Sequence, residues 1–337
     1  MILTPYCLGS GKASEAIQKS LAWIPILNPG LTLAPTRQLR RNEALPSVKG
    51  IDTPILFIAN PHGLHARAIL EGARSGFQAI VTEKPAAVSP DEIRELKAVS
   101  IPVAVLHGYR CLWGLQTIRK MLDAGELGEL ITLEGRYWQS SAAKRALERS
   151  ASGKPRDSWK NDPRLSGGFD TFLDLGTHWA DTAAWLMNET RFTGTTWLSF
   201  QNAEAPHRDT HVQTVLHFSG DRRAFGSISK TAHGSGNALE WNVIGTRASA
   251  SWSFSNPDEI ILGRGNTKTV IVRQENHLGS RQAAFHGVGW LEGYLEIIQS
   301  IVREVSAGTV QASASTDYPR LSHNLEVLES WFKTLST

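Results

Sequence analysis

Three side chains in this sequence have the chemistry that proton transfer needs. Lys84 stands in the tripeptide Glu83-Lys84-Pro85, and Asp174 and His178 stand four residues apart. A lysine ammonium donates hydrogen bonds to an oxygen on which negative charge develops. Histidine titrates near neutral pH and is therefore suited to accept a proton. The three residue types together are typical of a site that removes a proton from a hydroxyl group.

Each of these residues also has an ordinary interpretation when it is taken alone. Lys84 would be a surface lysine, His178 a core histidine with its hydrogen bonds satisfied, and Asp174 an acid that caps a helix. The spacing adds information, because residues four apart lie on one face of a helix. It predicts that Asp174 and His178 point the same way. Pro85 disfavours helix at Lys84.

The first hundred residues predict the element that must position Lys84. Residues 55–59 and 103–106 are continuous apolar runs, as in strands buried on both faces. Residues 89–92, Ser-Pro-Asp-Glu, combine a capping hydroxyl with a proline in the first turn, which predicts a helix start. Alternating strands and helices predict a doubly wound parallel sheet, an α/β fold of the Rossmann type. Lys84 follows the strand-like residues 79–81, at the carboxyl edge where such sheets bind ligands.

The pattern changes after about residue 125. Residues 130–138 are strand-like, and several short strand-like runs follow between 193 and 274, separated by turn residues. Short spacing between strands favours an antiparallel sheet. We therefore expect a Rossmann domain over residues 1–123 and an α+β domain with a large, mostly antiparallel open sheet over residues 124–337.

A glycine turn lies between the first predicted strand and the first predicted helix. There the first glycine makes a tight turn, the second lets the backbone approach a pyrophosphate, and the helix N-terminus meets the negative charge. The third glycine of the dinucleotide fingerprint is replaced by Ser14, which is small. Pro5 is a reservation, because it removes a hydrogen-bond donor from the first strand. We expect a nicotinamide cofactor to contact Gly9, Ser10, Gly11, Lys12 and Ala13, although a turn without a ligand explains the glycines equally well.

The end of the second predicted strand bears on the choice of cofactor. Residues 31–33 are followed by Ala34-Pro35-Thr36-Arg37, with no acid to hold the ribose hydroxyls of NAD. Thr36 and Arg37 are suited to bind a 2′-phosphate. This predicts NADP, with NAD as second choice. The alternative is that Arg37, Arg40 and Arg41 form only a solvated loop.

Three blocks of sequence resemble one known family. They are Ala59-Asn60-Pro61-His62-Gly63-Leu64-His65, then Glu83-Lys84-Pro85, and then a third block. The third block consists of Asp162-Pro163-Arg164-Leu165-Ser166-Gly167-Gly168, then Leu173-Asp174-Leu175-Gly176-Thr177-His178, and then Asp181. Their order and intervals are similar to those of the glucose–fructose oxidoreductase, inositol dehydrogenase and rhizopine catabolism family. The shared pattern covers nearly the whole chain. The stretch 37–53 departs from it, because the family usually has a further helix and strand there.

The resemblance implies an NAD(P)-dependent dehydrogenase that acts on a CH–OH group of a sugar, polyol or sugar derivative. It implies that Lys84, Asp174 and His178 are catalytic and also bind substrate. Further cofactor contacts are implied for Ala59, Asn60, Pro61, His62, His65, Glu83 and Lys84. Further substrate contacts are implied for Arg110, Trp138, Trp159 and His286. It also implies a homodimer or homotetramer that forms through the C-terminal sheet.

Composition excludes several other classes of function. A net charge of +3 is too small to indicate a nucleic-acid or membrane partner. Two cysteines in 337 residues do not form a disulfide framework, and we expect a cytoplasmic protein without a signal peptide. His207, His211 and His233 do not have the spacing of a zinc site, and no metal is expected. Two alternatives stay open, a non-catalytic regulator that senses nucleotide or sugar and an NAD-dependent glycoside hydrolase.

Overall fold

The structure is a computed structural model that describes residues 2–41, 43–152, 159–200, 207–274, 289–307 and 318–335. The chain divides into two compact units. The first comprises Met1–Cys111 and Val288–Leu325, and the second comprises Leu112–Gly287 and Glu326–Thr337. Among the described residues, no helix is long and apolar enough to cross a membrane.

The first unit is built on a parallel sheet. Its strands are β1 (Ile2–Leu8), β2 (Thr32–Leu33), β3 (Arg37–Leu39), β4 (Pro54–Ile58), β5 (Ala79–Thr82) and β6 (Val103–Val105). They lie in the order β2-β1-β4-β5-β6, with β3 also paired to β1. Every pairing is parallel, which confirms the predicted sheet. Its α-helices are α1 (Lys12–Leu27), α2 (His65–Ser75), α3 (Pro90–Leu96) and α9 (Leu291–Ser306).

Helix boundaries in this unit follow the capping residues of the sequence. Ser89 accepts a hydrogen bond from the Glu92 amide, and Glu92 accepts one from the Val88 amide, so the start of α3 is capped from both sides. Helix α2 ends at Gly76, whose φ of 93° lies in the left-handed region. The start of α3 at Ser89 agrees with the prediction.

Pro5 is tolerated in β1 because the neighbouring strand is interrupted beside it. β2 pairs with β1 only at Ile2 and Leu3, and β3 pairs with it only from Tyr6 onward. The Thr4 amide donates to Thr53 on the β4 side, and amide directions alternate along a strand, so position 5 faces the interrupted side. A residue without an N–H group loses little there. The predicted second strand therefore corresponds to β2, and a further strand, β3, continues the pairing with β1 as far as Leu39.

The second unit is built on an eight-stranded sheet. Its strands are β7 (Leu130–Gln139), β8 (Thr193–Ser199), β9 (His211–His217), β10 (Arg223–Ser229), β11 (Asn237–Gly245), β12 (Ser249–Ser253), β13 (Asn256–Arg264) and β14 (Thr267–Val272). Their order is β14-β13-β12-β11-β7-β10-β9-β8. Only β7 and β10 pair in parallel, so the sheet is mostly antiparallel, as predicted.

The α-helices between Trp113 and Met187 are α4 (Trp113–Asp123), α5 (Ser141–Ser152), α6 (Pro163–Ser166), α7 (Thr171–Asp174) and α8 (Gly176–Met187). Of these, α4, α7 and α8 pack on the sheet. α8 packs on β7 and β10 through the fully buried indole of Trp179. A Cβ at Gly135 or Gly226 would come within 2.4 or 2.8 Å of that indole, so both positions require glycine. The remaining helix, α10 (Leu321–Lys333), closes the chain.

The observed units divide the chain differently from the predicted boundary between residues 123 and 124. α4 belongs to the second unit because it packs on β12 and β13, with Gly114 against the ring of Trp252. Helix α9 belongs to the first unit because it packs on α1, and Gly293 lies against the backbone of Gly108. Such contacts join residues distant in sequence.

Candidate functional site

The glycine turn of the first unit has the geometry of a phosphate cradle. Gly9 has a φ of 118°, and a Cβ there would lie 2.4 Å from the carbonyl oxygen of Ala59, so only glycine fits. Gly11 caps α1 without any side-chain hydrogen bond, and nothing lies within 4 Å of where its Cβ would be. The first turn of α1, which contains Lys12 and Ala13, therefore presents free amide groups, as anion sites at helix N-termini do.

Ser14 replaces the third glycine of the fingerprint without opening the packing. Its Oγ lies 3.2 Å from the Sγ of Cys7 on β1, and both residues are buried. Burial raises the pKa of the Cys7 thiol, and the Ser14 hydroxyl opposes this rise. A small side chain is enough for the close contact of helix and strand.

The end of the second strand lies beside this turn but differs from the prediction. Arg37 belongs to β3, and its Nη1 donates to the Tyr6 hydroxyl at 3.0 Å. The Gly9 amide donates to the Leu39 carbonyl, so the strand end next to the turn is Leu39. The exposed residues that follow are Arg40 and Arg41, whereas Thr36 precedes the strand.

A carboxylate also reaches this strand end. The Arg40 amide donates to Oε2 of Glu43 at 2.9 Å. The sequence was expected to place no acid here, and this expectation was wrong because the strand ends later than predicted. Between β3 and β4 the described residues contain no helix, in agreement with the shortened 37–53 stretch.

The loop after β4 carries the predicted block from Ala59 to His65. Ala59 and Gly63 are half-buried, and Asn60, Pro61 and His62 are buried. Oδ1 of Asn60 is buried and has no hydrogen-bond partner among the described residues, so it offers an acceptor in this loop. The uncapped helix, the glycine cradle and this acceptor all fit a dinucleotide at the carboxyl edge of the sheet.

His65 joins this loop to the next one. Its Nδ1 lies 2.8 Å from the Pro85 carbonyl oxygen, and its Nε2 lies 2.8 Å from the Asn60 carbonyl oxygen. Its ring is fully buried, so His65 orients the two loops rather than contacting a cofactor, which corrects the predicted contact. Burial lowers the pKa of His65, and the nearby Lys84 ammonium lowers it further. The two carbonyl groups act in the opposite direction and raise it.

Glu83 and Lys84 follow β5 directly, as predicted, and both are buried. The Glu83 amide donates to the Ile58 carbonyl at 2.8 Å. The Tyr294 hydroxyl of α9 donates to Oε1 of Glu83. Burial raises the pKa of Tyr294 well above its usual value, and the Glu83 carboxylate raises it further. The tripeptide is therefore fixed from two sides.

Arg110 also lies in the first unit, in a short 3-10 turn at Gly108–Cys111. It is buried, and its Nη1 lies 3.0 Å from Nε2 of His323. The Arg110 guanidinium therefore has a partner within the protein itself.

Asp174 and His178 lie in the second unit, on successive helices. Asp174 is the last residue of α7, Leu175 separates the helices, and His178 belongs to α8. The predicted single helix is therefore wrong, although the backbone stays close to helical between them. The His178 ring is half-buried, and its centroid lies 6.1 Å from that of Tyr137.

Two ammonium groups hold one oxygen of Asp174. Nζ of Lys230 lies 2.8 Å from Oδ2, and Nζ of Lys160 lies 2.5 Å from the same atom. Lys230 also binds Oδ1 of Asp170. Burial lowers the pKa of Lys230, but the carboxylates of Asp174 and Asp170 outweigh this effect and raise it. The carboxylate of Asp174 is thus stabilised in its charged form.

A third carboxylate fixes the helix that ends in Asp174. Asp209 accepts hydrogen bonds from the amides of Asp170 and Phe172, at the start of α7. Burial raises the pKa of Asp209, and the two amides oppose that rise. The position of Asp174 is therefore determined by contacts at both ends of α7.

Strand register corrects one predicted substrate contact. Side chains alternate along β7, and Tyr137 lies on the face covered by α8, next to His178. Trp138 lies on the opposite face, where its Nε1 donates to Ser227 and the Arg136 guanidinium lies 4.6 Å from its ring centroid. Tyr137, and not Trp138, is the aromatic residue of this strand beside the site.

Trp159 remains near the site. It is half-buried, and Nζ of Lys160, which binds Asp174, lies 5.7 Å from its ring centroid. His286 lies outside the described residues.

Residues 115–251, all within the second unit, match the family model described as the GFO/IDH/MocA C-terminal domain. The match covers less than half of the chain, and this part of the chain is similar to GFO/IDH/MocA proteins. This similarity agrees with the family resemblance carried by the three sequence blocks.

Individual relatives are distant. Levoglucosan dehydrogenase of Pseudarthrobacter phenanthrenivorans is 25% identical over 62% of this chain, and the match spans 57% of that relative's own length. D-xylose dehydrogenase of Paenarthrobacter nicotinovorans is 29% identical over 37% of this chain and 31% of its own length. The chain thus matches 57% of the length of the first relative and less than a third of the second.

Solved structures match over nearly the full length. A levoglucosan dehydrogenase in complex with NADH has a TM-score of 0.82 at 18% identity, covering 99% of this chain and 98% of its own. An inositol dehydrogenase homologue from Azotobacter vinelandii, in complex with NAD+, has a TM-score of 0.79 at 19% identity, covering 98% and 95%. At such identities the likeness establishes the fold of this chain.

Sequence reasoning missed several residues of the candidate site. They are Tyr137, Asp170, Asp209, Lys230 and Tyr294. Lys230 follows β10, a strand with small residues that was not predicted. A single lysine in a segment without a recognisable motif gives no local sign of its role. That role depends on two carboxylates about 60 residues earlier in the chain.

Proposed function

We propose that this protein transfers a hydride between a nicotinamide cofactor and a secondary alcohol or ketone of a sugar, polyol or sugar derivative. The proposal depends most on one observation. A chain with the GFO/IDH/MocA C-terminal domain carries Glu83-Lys84-Pro85 directly after β5 and holds Asp174, charged and anchored, four residues before His178. The dehydrogenase names of its relatives support the same reaction class.

The cofactor would be held by the first unit. Gly9, Ser10, Gly11, Lys12 and Ala13 would bind the pyrophosphate, and Ala59, Asn60, Pro61 and His62 would line its other side. When bound, a nicotinamide group supplies the acceptor or donor of the hydride. Binding of NADH or NAD+ by solved relatives of the same fold supports this assignment.

The chain's own residues would handle the proton and the substrate oxygen. Lys84 would donate to the reacting oxygen and stabilise its developing negative charge. His178 would take the hydroxyl proton. Asp174 would accept a hydrogen bond from a neighbouring substrate hydroxyl, because two ammonium groups disfavour its acting as the base.

The choice between NADP and NAD depends on the end of β3. The exposed Arg40 and Arg41 favour NADP, since guanidinium groups bind phosphate well. Glu43 favours NAD, since a carboxylate there binds ribose hydroxyls and repels a 2′-phosphate. We infer a preference for NADP from the two arginines, with Arg40 and Arg41 taking the place first assigned to Thr36 and Arg37.

The outer face of the second sheet supports an assembly of like chains. Trp197 and Phe225 are 52% and 42% exposed on this face, beside the charged pair Arg136 and Glu240. Exposed aromatic residues with a polar rim are typical of interfaces. We propose a homodimer or homotetramer, located in the cytoplasm, where thiols such as Cys7 and Cys111 stay reduced.

One experiment tests the function. The protein is titrated with NADPH and NADH, and the preferred cofactor is then used in a screen of levoglucosan, inositol, xylose and other sugars and polyols. We expect reversible reduction of the oxidised cofactor with at least one substrate. Cofactor binding without turnover across the screen would contradict the proposal and favour a regulator. Release of a leaving group without net cofactor reduction would favour a glycoside hydrolase.

A further inference from the structure

Lys230 is a buried cation in the second unit. It follows the last residue of β10, and only 1% of its side chain is exposed. Its backbone is fixed on both sides, because its amide donates to the Thr210 carbonyl and its carbonyl accepts from the Ala142 amide. Its ammonium group therefore has a well-defined position.

The ammonium of Lys230 joins two carboxylates at the two ends of α7. It binds Oδ1 of Asp170, which precedes the helix, and lies 2.8 Å from Oδ2 of Asp174, which ends it. An ammonium group has three N–H donors and satisfies both oxygens at once. Neither carboxylate can move far without losing a charged partner away from water, which is costly.

Lys160 binds the same oxygen of Asp174 but is a weaker constraint. Its side chain is 32% exposed, compared with 1% for Lys230. Water screens an exposed ion pair and competes for its groups, whereas a buried pair is screened much less. Lys230 is therefore the partner of Asp174 that persists when Lys160 moves.

Other charged groups also surround the two carboxylates. Nη2 of Arg145 lies 4.0 Å from Oδ2 of Asp170. The buried Arg208 interacts electrostatically with Asp170, Asp174 and Asp209. The charged groups that contacts and electrostatic interactions place around Asp170 and Asp174 include Arg145, Lys160, Arg208, Asp209 and Lys230. Among these, the described contacts place only Lys160 and Lys230 in ion pairs with Asp174 itself.

We propose that Lys230 is a positioning residue for the reaction: it keeps Asp174 ionised and fixes the direction in which its carboxylate is held for substrate. This inference rests on the proposed function of Asp174. It does not require Lys230 to contact substrate or cofactor.

The test compares the pH profile of kcat/KM in the wild type and in Lys230→Met. Without the buried cation, Asp174 becomes harder to ionise, so the acid limb of the profile moves to higher pH. We expect kcat/KM at neutral pH to fall by roughly 10- to 100-fold, which is the usual scale when a residue that orients a functional side chain is removed. An unchanged acid limb in a folded Lys230→Met protein would overturn the proposal.

A second variant separates positioning from simple charge balance. Lys230→Met leaves Asp170 buried without its ammonium, whereas the double variant Lys230→Met/Asp170→Asn removes both charges. We expect the double variant to regain thermal stability while its acid limb stays displaced. Recovery of both stability and pH profile would show that Lys230 only neutralises Asp170, and the proposal would fail. Loss of folding in both variants would also overturn it, since the whole structure would then need Lys230.

Arg273→Met is the matched control. Arg273 is a buried cation of the same unit, and its Nη1 lies 3.1 Å from Oδ1 of Asp258, away from α7. The Arg273→Met substitution should lower thermal stability without moving the acid limb of the kcat/KM profile. The wild type reports separately on the proposed function: if it turns over no substrate, the function itself is wrong, whereas wild-type turnover with an unchanged Lys230→Met profile refutes only the role of Lys230.

Discussion

Nδ1 of His65 lies 2.8 Å from the carbonyl oxygen of Pro85, and the same ring reaches the carbonyl oxygen of Asn60 through Nε2. One buried imidazole thus joins the loops that follow β4 and β5. A neutral ring donates to only one of these oxygens, whereas a protonated ring donates to both. Burial nevertheless lowers the pKa of His65, so the neutral form is favoured in the folded protein.

His65 should make the folded protein sensitive to acid. A histidine whose pKa is lowered on folding binds fewer protons in the native state than in the unfolded state, so stability falls as pH drops below about 6.5. We expect the free energy of unfolding of His65→Gln to fall less steeply between pH 7 and pH 5 than that of the wild type. Urea denaturation at each pH measures this slope. His217→Gln, at an exposed site, should keep the wild-type slope.

Lys84 and His178 should be needed for turnover but not for folding. We expect Lys84→Ala and His178→Ala each to lower kcat by about 100- to 10,000-fold, the usual contribution of a positioned acid or base. Circular dichroism should show an intact fold in both. Near-normal kcat in both variants would refute the proposed roles.

Tyr294 should stabilise the Glu83-Lys84-Pro85 segment through its hydroxyl group. Tyr294→Phe removes a donor from the buried Glu83 carboxylate, which should cost about 1–3 kcal/mol of unfolding free energy. Tyr318→Phe is a matched comparison, since Glu304 keeps two hydrogen bonds from Arg320 when the Tyr318 hydroxyl is lost. Thermal denaturation should show the larger loss for Tyr294→Phe, and equal losses would contradict this account.

Because the pKa of Tyr294 is raised on folding, its contribution should also depend on pH. The native state keeps the phenol proton above about pH 10, where the unfolded chain loses it. The contribution of Tyr294 to the free energy of unfolding should therefore be fully present below pH 10 and decline above it. The decline should be shallower in Tyr294→Phe, as measured by denaturation between pH 9 and pH 11.

Arg40 and Arg41 should discriminate between the two cofactors. Loss of charge-assisted hydrogen bonds to a 2′-phosphate in Arg40→Ser/Arg41→Ser should weaken NADPH binding by about 10- to 100-fold. The Kd for NADH should change little, as fluorescence titration would show. Arg67→Ser, at an exposed arginine of α2, controls for net charge. A parallel loss of NADH affinity would refute phosphate recognition.

Much of the fold follows from local patterns. Features that depend only on neighbouring residues can be recognised in the sequence. Examples are the apolar run at β4, the cap at Ser89 and the helix end at Gly76. The same holds for Lys84 at the end of β5. The interrupted second strand was misjudged because its pieces are defined by pairing with β1 on either side of Pro5, which is a long-range contact.

The sequence by itself determined the alternation of strands and helices, the glycine turn, and the blocks that contain Lys84, Asp174 and His178. Only the tertiary structure decided which groups surround them. Lys230 meets Asp174, Tyr294 meets Glu83, and Tyr137 rather than Trp138 meets His178. The physical reason is that secondary structure and short motifs depend on residues within a few positions, whereas buried ion pairs and strand register depend on how distant segments pack.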